Sequence, residues 1–196
     1  TPWHPGAISS DPSDGENYRS AEEDQEVCLG LLRRMVEKGW ASEANSWDQL
    51  LEAAASPQAT LNKLALITKF RQDGTAKHRL IWDLLRSQVN EHIAQGERIV
   101  LPRLIDVVRD ILSLSESDQV TLFGTDISDA FHQVPLHKDE QQFTATSFAG
   151  VFFLFHVLVF GAASAPTVWG RFAAFIGRSS AAILAGLRAL IHIFVD

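Results

Sequence analysis

A chain of 196 residues, 46% of them hydrophobic, has room for one large packed domain or two small ones, which excludes a disordered chain. Its single cysteine, Cys28, excludes an internal disulfide. The formal net charge of −7 argues against a uniformly cationic surface, but the charge is unevenly spread. Residues 1–60 hold 11 acids and 4 bases, whereas residues 61–196 hold 13 of each. Within 63–86, six bases (Lys63, Lys69, Arg71, Lys77, Arg79 and Arg86) stand against Asp73 and Asp83. Such a cluster is most often a solvated face, so by itself it is a weak pointer to an anionic partner.

In chain order, residues 1–20 are rich in Pro, Gly, Ser and Asp and read as an extended or disordered lead-in. Glu22 to Lys38 carries an apolar stripe (Val27, Leu31, Leu32, Met35, Val36) at helical spacing, with Gly39 as its stop. Ser46-Trp47-Asp48-Gln49 has the form of a capping box opening a short helix through Ala55. Leu64–Arg71 and Thr75–Leu84 read as two strands joined at Asp73-Gly74, a hairpin turn. Pro102 suits the first turn of a helix reaching about Leu114, with Leu104, Ile105, Val108, Ile111 and Leu112 facing inward. A strand is expected over Val120–Asp126, a short helix near Asp129–His132, and strands near Phe143–Ser147 and Val151–Val159. Gly161–Pro166 reads as a turn, followed by helices over Thr167–Ile176 and Ser180–Ala189 and a terminal strand, Ile191–Asp196. Mixed helices and antiparallel strands predict an α+β fold.

The apolar run from Phe148 to Ala163 is shorter than the ~20 residues of a spanning helix and reads as a buried strand with its exit turn. No membrane partner is expected, and no signal peptide is evident. Met35 is the only methionine and the chain stops inside a strand-like run, so a fragment is expected.

Two apolar strands each deliver a carboxylate: Asp126 after Val120–Phe123, and Asp196 at the end of Ile191–Val195. Strand-end acids far apart in sequence suit hard cations and metal-assisted phosphoryl transfer, although an Asp at a strand exit can also simply cap the next turn. On a strand, Lys77, Arg79, Ile81 and Asp83 share a face, so Lys77 and Arg79 can reach one anion together while Asp83 orients a base. The structural alternative is an exposed strand with a cross-strand ion pair. Asp129 can align the N–H groups of Asp129 and Ala130 toward an anion as an N-cap. Lone His156 on an apolar strand reads as a satisfied core residue.

These segments carry a resemblance. Lys77-His78-Arg79-Leu80-Ile81-Trp82-Asp83-Leu84, with Arg86 and Val89-Asn90 behind it, resembles the fingers segment of reverse transcriptases, where a K-x-R…D…R…N pattern contacts the incoming triphosphate. Leu101-Pro102-Arg103-Leu104 is similar to the segment before the first catalytic motif of long-terminal-repeat retrotransposons. Asp126–Leu136 resembles that motif, Leu158–Thr167 resembles motif B, and Phe194-Val195-Asp196 resembles the start of motif C. The ordered set covers residues 69–196.

The resemblance implies the fingers and partial palm of a truncated right-hand polymerase, with an antiparallel sheet and packed helices over 61–196, preceded by an acidic, partly helical extension over 1–60. The activity implied is RNA-directed DNA synthesis, the transfer of a nucleotide from a dNTP to a primer 3′-hydroxyl. The catalytic residues would be Asp126 and Asp196, which with the Ile127 carbonyl would bind two Mg²⁺ ions, or Mn²⁺ in their place. Lys77, Arg79, Asp129, Ala130, Phe131 and Gly161 would contact substrate. Phe131 stands at the steric-gate position that rejects a ribose 2′-hydroxyl; its alternative is a core phenylalanine. Gly161 would let template-primer approach the backbone. Phe160 stands where retroviral members carry Gln, which favours a retrotransposon lineage. Partners implied are an RNA or DNA template, a primer, dNTPs and the other domains of a retroelement polyprotein, in the cytoplasm or nucleus. The sequence departs from the pattern at Val159 and Ala162 and stops after the first motif C acid, so the fragment itself is expected to be inactive. A degenerate remnant that binds nucleic acid without catalysis is the other reading, and a metal-dependent nuclease is a weaker one.

Overall fold

A computed structural model describes residues 16–94, 96, 100–114, 121–187 and 189–194. In chain order its elements are α1 (Arg19–Glu22), α2 (Gln25–Glu37), β1 (Ala41–Ala44), α3 (Trp47–Ala54), β2 (Lys63–Phe70), β3 (Ala76–Asp83), α4 (Leu104–Leu112), α5 (Lys138–Gln141), β4 (Thr146–Phe148), β5 (Val151–Phe155) and α6 (Ala165–Ile183). Short 3-10 turns cover Val89–His92 and Ala130–Gln133. The fold is α+β, and the chain divides into two compact units: residues 1–94 with 131–165, and residues 95–130 with 166–196.

In the first unit, a three-stranded antiparallel sheet runs in the order β1-β5-β4. β5 lies in its centre, with Ala41–Ala44 opposite Phe155–Phe152 on one side and Thr146–Phe148 opposite Phe153–Val151 on the other. Its consecutive residues Phe153, Leu154 and Phe155 are all buried, which requires cover on both faces of the sheet. On one face Leu154 packs with Ala44, Leu50, Ala54, Ala59 and Ala145, bringing α3 onto the sheet. On the other, Phe155 meets the edge of Trp82 from β3, ring centroids 4.7 Å apart.

Local chemistry explains most of these elements. Cys28 and, from the expected apolar stripe, Leu32 are buried on α2, and Gly39, at φ 71, ends the helix by donating its N–H to the Val36 carbonyl at 2.9 Å. Burial pushes the Cys28 thiol up to about 11. Ser46 Oγ accepts the Gln49 N–H at 3.2 Å to start α3, while Gln49 Oε1 reaches back to the Asn45 N–H at 2.8 Å. The β2–β3 hairpin turns at Asp73-Gly74, where Asp73 Oδ1 accepts from Thr75 N–H and Gly74 takes φ 81.

The segment before residue 60 supplies β1 to the sheet and α3 to the core. Several expectations are corrected. Residues 16–20 are not merely a lead-in: Asn17, Tyr18 and Ser20 hydrogen-bond along β2 at Leu64 and Leu66.

The strand expected over Val120–Asp126 is absent from its described part, residues 121–126, and no strand forms over the described residues 191–194. An apolar run becomes a strand only when a neighbour supplies the ladder, and none of the described strands pairs with either. The face of α4 expected inward is exposed at Leu104, Ile105, Val108, Ile111 and Leu112. The two helices expected after Pro166 are one, α6, which runs through Gly177, where the Ile193 side chain occupies the space a Cβ would need. No helix among the described residues is long and apolar enough to cross a membrane.

Candidate functional site

The hairpin register sorts its side chains into two faces. Leu64 with Trp82 and Leu66 with Leu80 are buried on one. Lys63 with Asp83, Ala65 with Ile81, Ile67 with Arg79, and Lys69 with Lys77 lie on the other. Lys77 and Arg79 thus share a face as expected, and Lys69 joins them directly across from Lys77. Like charges directly opposite one another on a sheet repel, and the one acid of this face, Asp83, stands at its far end.

Asp83 is engaged locally. The Tyr18 hydroxyl and the Arg86 N–H both donate to its carboxylate, the latter at 2.9 Å. Burial pushes that carboxyl up, but the Tyr18 hydroxyl, the Arg86 and Leu85 N–H groups and the Arg86 charge together hold it below its ordinary value. Asp83 thus fastens Tyr18 and the turn at Leu85–Arg86.

Arg79 leans on an aromatic ring instead of an acid. Its guanidinium lies over Phe160, 4.7 Å from the centroid. Phe160 also packs against Phe131 at 5.0 Å and against the buried His132 edge-on at 5.3 Å; His132 in turn stacks on Trp40 at 4.9 Å. Lys38 covers Trp40, its Nζ 4.1 Å from the ring centroid. Phe131 itself is 9% exposed, held in the 3-10 turn whose Phe131 carbonyl accepts the Val134 N–H at 3.0 Å.

The turn after Phe160 is bolted to β3. The Trp82 N–H donates to the Phe160 carbonyl at 2.9 Å, and Gly161 takes φ +113. A Cβ at Gly161 would overlap the Trp82 carbonyl oxygen, so the space reserved by this glycine is filled by the protein's own strand. Asn90 clamps the same turn, donating from Nδ2 to the Gly161 carbonyl at 2.9 Å and accepting the Ala163 N–H on Oδ1 at 2.9 Å.

His156, half-buried, meets Gln141 Oε1 through Nδ1 at 2.8 Å, the satisfied residue that was expected. Asn62 carries no sequence signal as a site residue, yet it is buried and ties the hairpin to the following sheet. It donates to the Phe143 and Ala145 carbonyls at 2.8 and 3.0 Å and accepts the Ser87 hydroxyl at 2.6 Å.

The remaining candidates belong to the second unit. Asp126 and Ile127 lie exposed in irregular chain. Asp129 is exposed at φ 54, which is not the extended backbone of an N-cap, and Ala130 opens the 3-10 turn. Asp196 lies outside the described residues. Among the described residues no group of three His, Cys, Asp or Glu converges as a metal cage. In the same unit His192 Nε2 meets Asp110 Oδ2 at 2.9 Å.

No protein-family model matches the chain, and no characterised protein matches it in sequence. Among solved structures, the foamy viral protease-reverse transcriptase in complex with double-stranded DNA is similar over 95% of this chain, with a TM-score of 0.53 at 15% identity. The chain spans 28% of the length of that protein. At this identity the likeness is one of fold, and it is to a reverse-transcriptase-like fold.

Proposed function

We propose that the chain is the nucleotide-binding part of a retroelement reverse transcriptase of long-terminal-repeat type, with Lys69, Lys77 and Arg79 receiving the triphosphate of an incoming deoxynucleotide. The observation that carries this is the cation face of the hairpin. Lys69 stands opposite Lys77 with Arg79 next along, and none of the three has an acidic partner among the described residues. A polyanion relieves that repulsion, with Arg79 giving a planar fork and the lysines point charges. The likeness of fold to a protein solved with DNA supports the reading and extends it to a nucleic-acid template and primer.

On this reading Asp126 and Asp196, with the Ile127 carbonyl, hold Mg²⁺, whose chemistry is to activate the primer hydroxyl and neutralise the leaving pyrophosphate. The donors fit in kind. Hard oxygens suit Mg²⁺, which needs few protein ligands when phosphates complete its shell, and Asp126 is open to solvent. Phe131 bounds the sugar.

Calorimetric titration with a dNTP and Mg²⁺ tests the reading. Arg79→Ala is expected to weaken binding about tenfold, ~1.4 kcal/mol, and Lys77→Ala somewhat less. Unchanged affinity in both variants sinks it. Primer extension in a longer form that carries the rest of the polymerase then separates polymerase from remnant: incorporation lost in Asp126→Asn supports catalysis, whereas tight binding without incorporation by that longer form supports the degenerate, non-catalytic reading.

A further inference from the structure

We infer that Phe160 is a positioning residue that fixes the Arg79 guanidinium for anion capture, and that Trp40 and His132 hold Phe160 in place from behind. The inference rests on the triphosphate reading of the hairpin and adds to it how the arginine is aimed.

Arg79 sits in the middle of a strand, half-buried, with no carboxylate among the described residues to orient it. A free arginine side chain spreads over many rotamers, and ordering it on ligand binding costs affinity. The ring of Phe160, 4.7 Å away, restricts it without neutralising its charge. An acidic partner would aim the guanidinium equally well but would compete with the ligand; an aromatic face leaves the forked N–H edge free for phosphate. A ring can do this only if it is itself fixed, and Phe160 is fixed on several sides. Its carbonyl accepts from Trp82, its ring packs on Phe131, and His132 meets it edge-on. His132 is sandwiched between Phe160 and Trp40, so the stack runs back to the loop between α2 and β1. The part of the chain richest in acid thereby supplies the last buttress of a cation site.

Because Phe160 touches both Arg79 and Phe131, any change in its ring alters the arginine and the expected sugar gate together. A polar residue at this position would have neither the stacking face for Arg79 nor the apolar contact for Phe131.

The test uses the full chain and inorganic tripolyphosphate as the probe, with two readouts. The first is the Arg79 Nε–Hε proton signal, identified by its loss in Arg79→Ala. A ring-current displacement is expected in the unmodified protein and in Phe160→Tyr, and is expected to vanish in Phe160→Leu. The second is affinity: about three- to fivefold weaker in Phe160→Leu, within about twofold in Phe160→Tyr, and about twofold weaker in Trp40→Leu. If Phe160→Leu does not fold, Trp40→Leu carries the test, with a reduced displacement and the weaker binding expected together. Tripolyphosphate affinity indifferent to Arg79→Ala overturns the hairpin reading and this inference with it. Binding that depends on Arg79 but is unchanged in Phe160→Leu, or in Trp40→Leu where that variant stands in, overturns the inference alone.

Discussion

At Gly161 two demands meet, a left-handed backbone and a Trp82 carbonyl where a side chain would be. Gly161→Ala is therefore expected to cost about 2–4 kcal/mol, read from the urea midpoint, and to loosen the Phe160 turn with it. Tyr18→Phe removes the hydroxyl that donates to Asp83 and is expected to cost about 1 kcal/mol at pH 7. The pH dependence has a definite sign. The Asp83 carboxyl is held below its ordinary value, so its contribution is fully present above the ordinary carboxylate range and is lost as pH falls through the depressed value. Tyr18 is raised above 10.0, chiefly by the same hydrogen bond, so its contribution is lost as pH rises through that raised value. The gap between wild type and Tyr18→Phe should thus be widest between these limits and close at either end, which thermal melts across pH will show. Phe131→Val in a primer-extending form is expected to admit ribonucleotides; unchanged discrimination would make Phe131, already largely buried against Phe160, a core residue only. The sequence marked Gly161 as a special glycine but not its neighbour, because the Trp82 carbonyl comes from a strand far away in the chain and no local pattern announces it.

Among the elements, the hairpin was the most legible, since alternating residues around Asp73-Gly74 state both strands and the turn. β1 was not legible: four residues, Ala41–Ala44, have little strand character of their own and are strand only because β5 offers them a ladder. The converse holds at residues 121–126, where an apolar run with good strand character finds no ladder among the described strands. Helix ends were read better than helix faces. Ser46 and Gly39 act locally, whereas the exposure of α4 depends on what packs there. Asn62 sits between hairpin and sheet with its side chain fully used, so Asn62→Ala is expected to cost about 2–3 kcal/mol. An Asn62→Asp variant should be no better, because a carboxylate lacks the donors that reach the Phe143 and Ala145 carbonyls. Urea unfolding of both variants checks this.

Across the whole molecule, burial is concentrated in one unit. All buried hydrophobic residues among those described belong to residues 1–94 and 131–165, apart from Trp169 and Ala173. Amides of β2, β3 and β5 are therefore expected to exchange with deuterium only on global unfolding, and those of α4 and the C-terminal half of α6 much earlier. Equal protection would contradict this. The fold class was legible from the order of elements, and the likeness in fold agrees with it over 95% of the chain. The two compact units are set by contacts between segments distant in the chain, which no local pattern announces.

The pairing of Ala41–Ala44 with β5 bears on how the protein can be cloned. A gene product trimmed to begin at residue 61 would discard the acidic stretch, and with it the strand that lies along Phe152–Phe155. The flank left behind would be a naked aromatic ribbon, a template for sticking to its own copies. Such a shortened product should collect in inclusion bodies, while one starting near Glu16 should stay in solution. Expressing the two side by side would show whether the segment that carries β1 and α3 is what keeps the protein from aggregating.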